Sequence, residues 1–101
     1  MMGQPKPGTQ AAAVLRVLQR GGCLTCRWAS RTLGVNRLER VVYDLRVRYG
    51  LRQELLTLMV PVPTRYQRSS THIALYCLRG REPADPKLAV SRLAYDQGLL
   101  V

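Results

Sequence analysis

The sequence predicts a mainly α-helical domain with one β-hairpin. Capping residues and glycine stops mark three helical segments in the first half of the chain. Two β-leaning runs, residues 55–60 and 71–78, follow and flank a segment rich in proline and hydroxyl side chains. A fourth helical segment comes last. The 101 residues fit one domain and leave no room for two independent cores.

The first helix is expected over residues 10–20, with Thr9 as its N-cap and Gly21-Gly22 as its stop. Its apolar stripe consists of Ala13, Val14, Val17 and Leu18. Residues 1–8 are rich in proline and glycine, and we expect them to form a flexible tail.

The next segment predicts a helix-turn-helix unit. Cys23-Leu24 is long enough only for a bridging strand, and Thr25 is expected to cap a second helix over residues 26–33. Gly34 ends that helix, and the next helix begins after only a few residues. A short turn with glycine between two short helices is typical of a helix-turn-helix.

The third helix is expected to start at Asn36 as N-cap and to run to about Tyr49, before Gly50. Its inner face should consist of Leu38, Val41, Val42, Leu45 and Tyr49. Its outer face carries polar and arginine side chains. Arg46 and Arg48 near its end suit the negative pole of the helix dipole.

The two β-leaning runs predict a hairpin with a long basic tip. Pro61 and Pro63 cannot lie inside a central ladder, so we expect them at a strand end or an edge. One face of the second strand should carry Ile73, Leu75 and Cys77, and the other Ala74, Tyr76 and Leu78.

Residues 79–84 are expected to link the hairpin to a last helix. Asp85 is a good N-cap, Pro86 suits the first helical position, and the helix should run to about Gln97 before Gly98. This apolar helix either covers the core of the domain or pairs with a second copy of the chain.

The predicted order is helix, short strand, helix, turn, helix, strand, strand and helix. Everything before the last helix matches a winged helix-turn-helix, so we expect that fold over residues 9–78. Residues 79–101 would then add a linker and an extra C-terminal helix.

The charge balance favours a polyanionic partner. Sixteen Lys and Arg face six Asp and Glu, for a formal net charge of +10. The basic residues are nearly all arginine, which binds phosphates and guanine edges with two hydrogen bonds. A solvated basic surface or an acidic protein partner would also account for this charge.

No apolar run approaches the ~20 residues that span a bilayer, and no signal peptide is recognisable. We therefore expect no membrane partner and a location in the cytoplasm or nucleoid.

The outer face of the third helix and the hairpin tip are the candidate DNA contacts. Reading a base sequence requires side chains that project from one exposed helix face into the major groove. Basic residues at a hairpin tip can reach phosphates or a minor groove. The alternative is an ordinary solvated surface. The candidates are Asn36, Arg37, Arg40, Tyr43, Asp44, Arg48, Arg65 and Arg68.

A zinc site and an active site are not expected. Cys23 and Cys26 have the spacing of a zinc half-site, which His72 and Cys77 would have to complete. Those two are five residues apart on one strand, so they should point to opposite faces. The sequence contains no phosphate-binding glycine loop, no nucleophile motif and no convincing carboxylate pair. We therefore expect no cofactor and no enzymatic activity.

The middle of the chain resembles small helix-turn-helix proteins of bacteriophages and prophages. The resemblance rests on Leu24-Thr25, on the run from Arg37 to Arg46, and on Tyr76-Cys77-Leu78, and it covers roughly residues 10–78. It implies a winged-helix protein that binds double-stranded DNA, such as a small transcriptional regulator.

Two other functions remain open at this stage. One is a phage-encoded inhibitor, similar to an anti-CRISPR protein, that binds a host protein or protein–nucleic-acid complex. The other is a structural component of a virion. A homodimer through the C-terminal helix would match a palindromic DNA site.

Overall fold

The structure, a computed structural model, describes residues 5–63 and 70–96. Within these ranges it contains four helices and one antiparallel hairpin, as the sequence predicts. Among the same residues, no helix has the length and apolar character needed to cross a membrane. The elements are α1 (Gln10–Gln19), α2 (Cys26–Leu33), α3 (Leu38–Val47), β1 (Leu55–Pro63), β2 (Ser70–Leu78) and α4 (Pro86–Asp96).

Three of the predicted helix starts are confirmed by their caps. The hydroxyl of Thr9 accepts a hydrogen bond from the Ala12 N–H at 3.2 Å, and that of Thr25 accepts one from the Trp28 N–H at 3.2 Å. The carboxylate of Asp85 accepts one from the Leu88 N–H at 3.3 Å. Each oxygen satisfies a backbone donor that has no partner inside the helix.

The predicted start of α3 was one residue early. Arg37 occupies the N-cap position and provides no side-chain cap, and Asn36 caps nothing. Instead, the Asn36 Oδ1 accepts a hydrogen bond from the Ser30 hydroxyl of α2 at 3.3 Å. The left-handed Gly34, with φ of 71°, turns the chain so sharply that Asn36 lies beside α2.

The predicted end of α3 was two residues late. The regular helix ends at Val47, and the N–H of Leu51 bonds to the Leu45 carbonyl at 3.1 Å. Gly50 has a φ of 74° at this point. A backbone hydrogen bond that spans six residues, next to a left-handed glycine, is a common way to end a helix.

The main core lies between the three N-terminal helices and one face of the hairpin. The predicted inner face of α3 is confirmed, since its four aliphatic side chains are buried and Tyr49 packs against them half-buried. Leu15, which we did not assign to the stripe of α1, is buried as well. The other buried members of this core are Val14, Leu18, Leu24, Ala29, Val35, Leu55 and Tyr76.

The strand β2 is paired on both sides. It pairs with β1 along its full length, from Leu55↔Leu78 to Pro63↔Ser70. On its other side, Leu24 and Tyr76 exchange two backbone hydrogen bonds of 2.9 and 2.8 Å. This confirms the bridging strand predicted at Cys23-Leu24.

The strand β1 therefore lies at the edge of the sheet, which explains its prolines. Tyr76 bonds to Leu24, so its partner Thr57 must direct its backbone groups away from β2. Pro61 and Pro63 follow Thr57 at even spacing and share this outward orientation. A missing N–H costs nothing there, as we expected of an edge strand.

The helix α4 packs on the second face of the hairpin. Val60, Leu75 and Val90 form a separate buried cluster, with Ile73 and Leu93 half-buried against it. The opposite face of β2, with Ala74, Tyr76 and Leu78, packs on the main core, as the predicted alternation requires. In the structure α4 therefore covers the domain, which is one of the two alternatives we left open.

Arg46 joins α3 to the hairpin. Its guanidinium donates to the Leu55 carbonyl from Nε at 3.2 Å and from Nη2 at 3.0 Å, and to the Thr57 hydroxyl at 2.6 Å. The expected interaction with the helix dipole is thus not its main contact. These bonds fix the position of β1 relative to α3.

Arg46→Ala should lower the free energy of unfolding by about 1.5–3 kcal/mol, because a charged donor to a part-buried carbonyl is lost. Urea unfolding followed by circular dichroism measures this change. Arg40→Ala on the exposed face of the same helix is the control and should stay within about 0.5 kcal/mol of the wild type. Equal losses in the two variants would contradict the proposed link between α3 and the hairpin.

Val90→Ala should cost about 1.5–3 kcal/mol of unfolding free energy, because two buried methyl groups leave the cluster between α4 and the hairpin. Leu88→Ala, on the same helix but 47% exposed, should have little effect. Urea unfolding at several protein concentrations compares the two variants. A Val90→Ala effect that disappears at low concentration would show that α4 is buried between two copies instead.

Candidate nucleic-acid interface

The helix α3 has one buried and one exposed face. Leu38 and Leu45 are fully buried, whereas Arg37, Arg40 and Tyr43 on the other side are exposed. Tyr43 is 61% exposed, which is a high value for a large aromatic residue. In the folded domain, the apolar face of α3 therefore packs in the core and the face that carries the arginines is exposed to solvent.

The dimensions of this face suit the major groove of DNA. Ten residues of helix are about 15 Å long, and a helix with side chains is about 10–12 Å wide, close to the groove width of about 12 Å. Arg40 and Tyr43 are three residues apart and project from neighbouring turns. Their side chains therefore lie on the same side of the helix, one turn apart.

Acidic and basic side chains alternate along the flank of this face. Asp44 is half-buried and lies four residues from both Arg40 and Arg48, a spacing at which opposite charges attract on a helix. Arg48 itself is exposed at the C-cap. This spacing places one carboxylate between the two arginines along the chain.

The helix α2 also carries exposed arginines, which the sequence analysis did not name as candidates. Arg27 and Arg31 are exposed, one turn apart, on either side of Ser30 along the chain. Ser30, which follows Arg27 by one turn and directly precedes Arg31, bonds to Asn36 just before α3. Two arginines four residues apart in the first helix of the predicted helix-turn-helix could have indicated this exposed pair from the sequence.

Arg65 and Arg68 of the predicted hairpin tip lie outside the described residues. The strands that lead to this tip are described up to Pro63 and from Ser70. The proposed contacts of these two arginines therefore stay predictions.

The cysteines do not converge with His72. Cys23 and Cys77 contact each other on the α4 side of the hairpin, whereas His72 is exposed and belongs to the alternate face of β2. The Cys26 thiol lies 3.7 Å from the Glu39 carboxylate. In the part of the chain that the structure describes, no three Cys, His, Asp or Glu residues are arranged to hold a metal ion.

The thiol environments are unfavourable for ionisation. Burial raises the pKa of Cys77 to about 11, with a further contribution from neighbouring Cys23 and Glu82. Burial also raises the pKa of Cys26, and the Glu39 carboxylate adds to this shift. Burial therefore lowers the thiolate fraction of Cys26 and Cys77.

Comparison with known proteins identifies the fold. A family model described as a winged helix-turn-helix domain matches residues 9–81, which span α1 to the end of the hairpin. Neither the curated proteins nor the solved structures gave a match. The match covers more than half of the chain and agrees with the order of helices and strands. The chain thus belongs to the family of winged helix-turn-helix domains.

Proposed function

We propose that this protein binds double-stranded DNA and inserts α3 into the major groove. The observation that carries the proposal is the exposed face of α3, where Arg37, Arg40 and Tyr43 are free of the core that buries the opposite face. The net charge of +10 supports it, because a strong positive field speeds the encounter with a polyanion.

Four side chains would read bases in this arrangement. Arg40 would bind a guanine edge with two hydrogen bonds, and Asn36 would give up its bond to Ser30 to bind adenine. Asp44 would accept a hydrogen bond from a cytosine amino group, and Tyr43 would contact a neighbouring base or phosphate. The carboxylate of Asp44 also repels phosphates. Binding positions that place Asp44 against the DNA backbone are therefore disfavoured.

The remaining arginines would hold the phosphate backbone. Arg37 and Arg48 lie at the two ends of α3, and Arg27 and Arg31 are exposed on α2. Such contacts orient the protein on the duplex without reading its sequence. Arg65 and Arg68 would add phosphate or minor-groove contacts from the hairpin tip.

The role we propose is that of a small transcriptional regulator encoded by a phage or prophage. The support is the resemblance of residues 10–78 to such proteins, together with a single domain whose exposed face suits sequence reading. No catalytic step is part of this proposal.

Selection from a random duplex pool tests the proposal directly. Enrichment of one motif at moderate salt would support a sequence-specific regulator. Binding without enrichment would limit the protein to general DNA binding. Failure to bind any duplex at low salt, combined with capture of a host protein from lysate, would favour the inhibitor alternative. Light scattering on the same complexes counts the copies bound.

Arg40→Ala should weaken binding to the selected site by about 1–3 kcal/mol, because a bidentate contact to a base is lost. Fluorescence anisotropy with the selected duplex and with a scrambled duplex measures the change. Arg92→Ala, an exposed arginine of α4 on the far side of the hairpin, removes the same charge and should have little effect. Equal losses on both duplexes would remove Arg40 from the base-reading set.

Binding should weaken steeply with salt, because each phosphate neutralised by an arginine releases counterions. With four to six phosphate contacts, the logarithm of the association constant should fall with a slope of about −4 to −5 against the logarithm of salt concentration. Anisotropy titrations over a range of salt concentrations give this slope. A flat response would contradict the proposed arginine–phosphate contacts.

A further inference from the structure

Cys23 and Cys77 face each other across two antiparallel backbone segments. Their neighbours, Leu24 and Tyr76, exchange both backbone hydrogen bonds and therefore form a hydrogen-bonded pair of an antiparallel ladder. The residue before Leu24 and the residue after Tyr76 occupy the next, non-hydrogen-bonded position. At such positions the Cα atoms are about 4.5 Å apart, and the side chains approach each other most closely.

This spacing meets the requirement for a disulfide, which needs Cα atoms about 4.4–6.8 Å apart. The two thiols are also close enough to shift each other's pKa. Both lie on the face of the hairpin that α4 covers, with Cys23 half-buried and Cys77 fully buried. Cys26 begins α2 and contacts Glu39 instead.

We propose that Cys23 and Cys77 are a site of reversible disulfide formation within the folded domain. The pairing goes beyond the DNA-binding proposal and does not depend on it. The Leu24–Tyr76 bridge brings these two residues, distant in sequence, to a Cα spacing that a disulfide can span.

A peroxide is a suitable oxidant for the reaction. The more accessible Cys23 loses its proton and attacks one oxygen, the O–O bond breaks, and a sulfenic acid and one water result. The Cys77 sulfur then attacks the Cys23 sulfur, its proton leaves with the hydroxyl group as a second water, and the S–S bond forms. The two thiols are oxidised by two electrons and the peroxide is reduced to water. A dithiol reductant reverses the change.

The disulfide would tie the segment before α2 to the end of β2. It would close a chain loop that contains α2, α3 and most of the hairpin. Because a cross-link removes conformations from the unfolded chain, the oxidised protein should melt roughly 10–20 °C higher than the reduced protein.

The test uses the full chain with hydrogen peroxide as the oxidant and three single variants, Cys23→Ala, Cys26→Ser and Cys77→Ala. Free thiols are counted before and after oxidation, and melting is followed by circular dichroism with and without dithiothreitol. In Cys26→Ser, tryptic peptides 21–27 and 69–79 each contain one cysteine, so a disulfide appears as one linked peptide. Circular dichroism before oxidation confirms that each variant is folded.

The expected result is that Cys26→Ser loses both thiols, forms the linked peptide and gains the higher melting temperature until reduced. Cys23→Ala and Cys77→Ala should show no such gain. The proposal is overturned if Cys26→Ser keeps its thiols or oxidises them without the linked peptide. It is also overturned if Cys77→Ala forms a Cys23–Cys26 disulfide as fast as the wild type forms its own.

Discussion

The burial of the hairpin on both faces is the constraint on which the rest of this structure depends. A two-stranded hairpin is marginally stable alone, and here the three N-terminal helices cover one face while α4 covers the other. Leu24 pairs with the outer side of β2, which leaves β1 as the edge. The apolar side of α4 packs on the face of the hairpin that points away from the main core. The outer face of α3 therefore stays exposed.

The same packing prepares the candidate interface. The inner face of α3 is held by aliphatic contacts, and Arg46 bonds this helix to Leu55 and Thr57 of β1. One arginine of α3 therefore serves the fold, whereas Arg37 and Arg40 remain available to a partner. Because helix and hairpin are held in one orientation, a DNA duplex would meet a preorganised surface, which lowers the entropic cost of binding.

Residues of similar type take different roles according to their position. Arg46 and Arg48 are close in sequence, yet one bonds to the hairpin and the other lies exposed at the helix end. Cys23 and Cys26 have the spacing of a metal half-site, but the backbone bridge directs Cys23 to Cys77 and α2 directs Cys26 to Glu39. The spacing of such residues along the chain does not reveal which of them meet.

The sequence alone determined the helix caps at Thr9, Thr25 and Asp85, the turn at Gly34, and the two faces of α3. These features depend on interactions within a few residues, which composition and periodicity report directly. The tertiary structure alone decided that Asn36 bonds to Ser30, that Arg46 bonds to β1, and that α4 covers the hairpin. Those outcomes join residues from separate elements, so they depend on how the elements dock, and local sequence patterns carry no information about that.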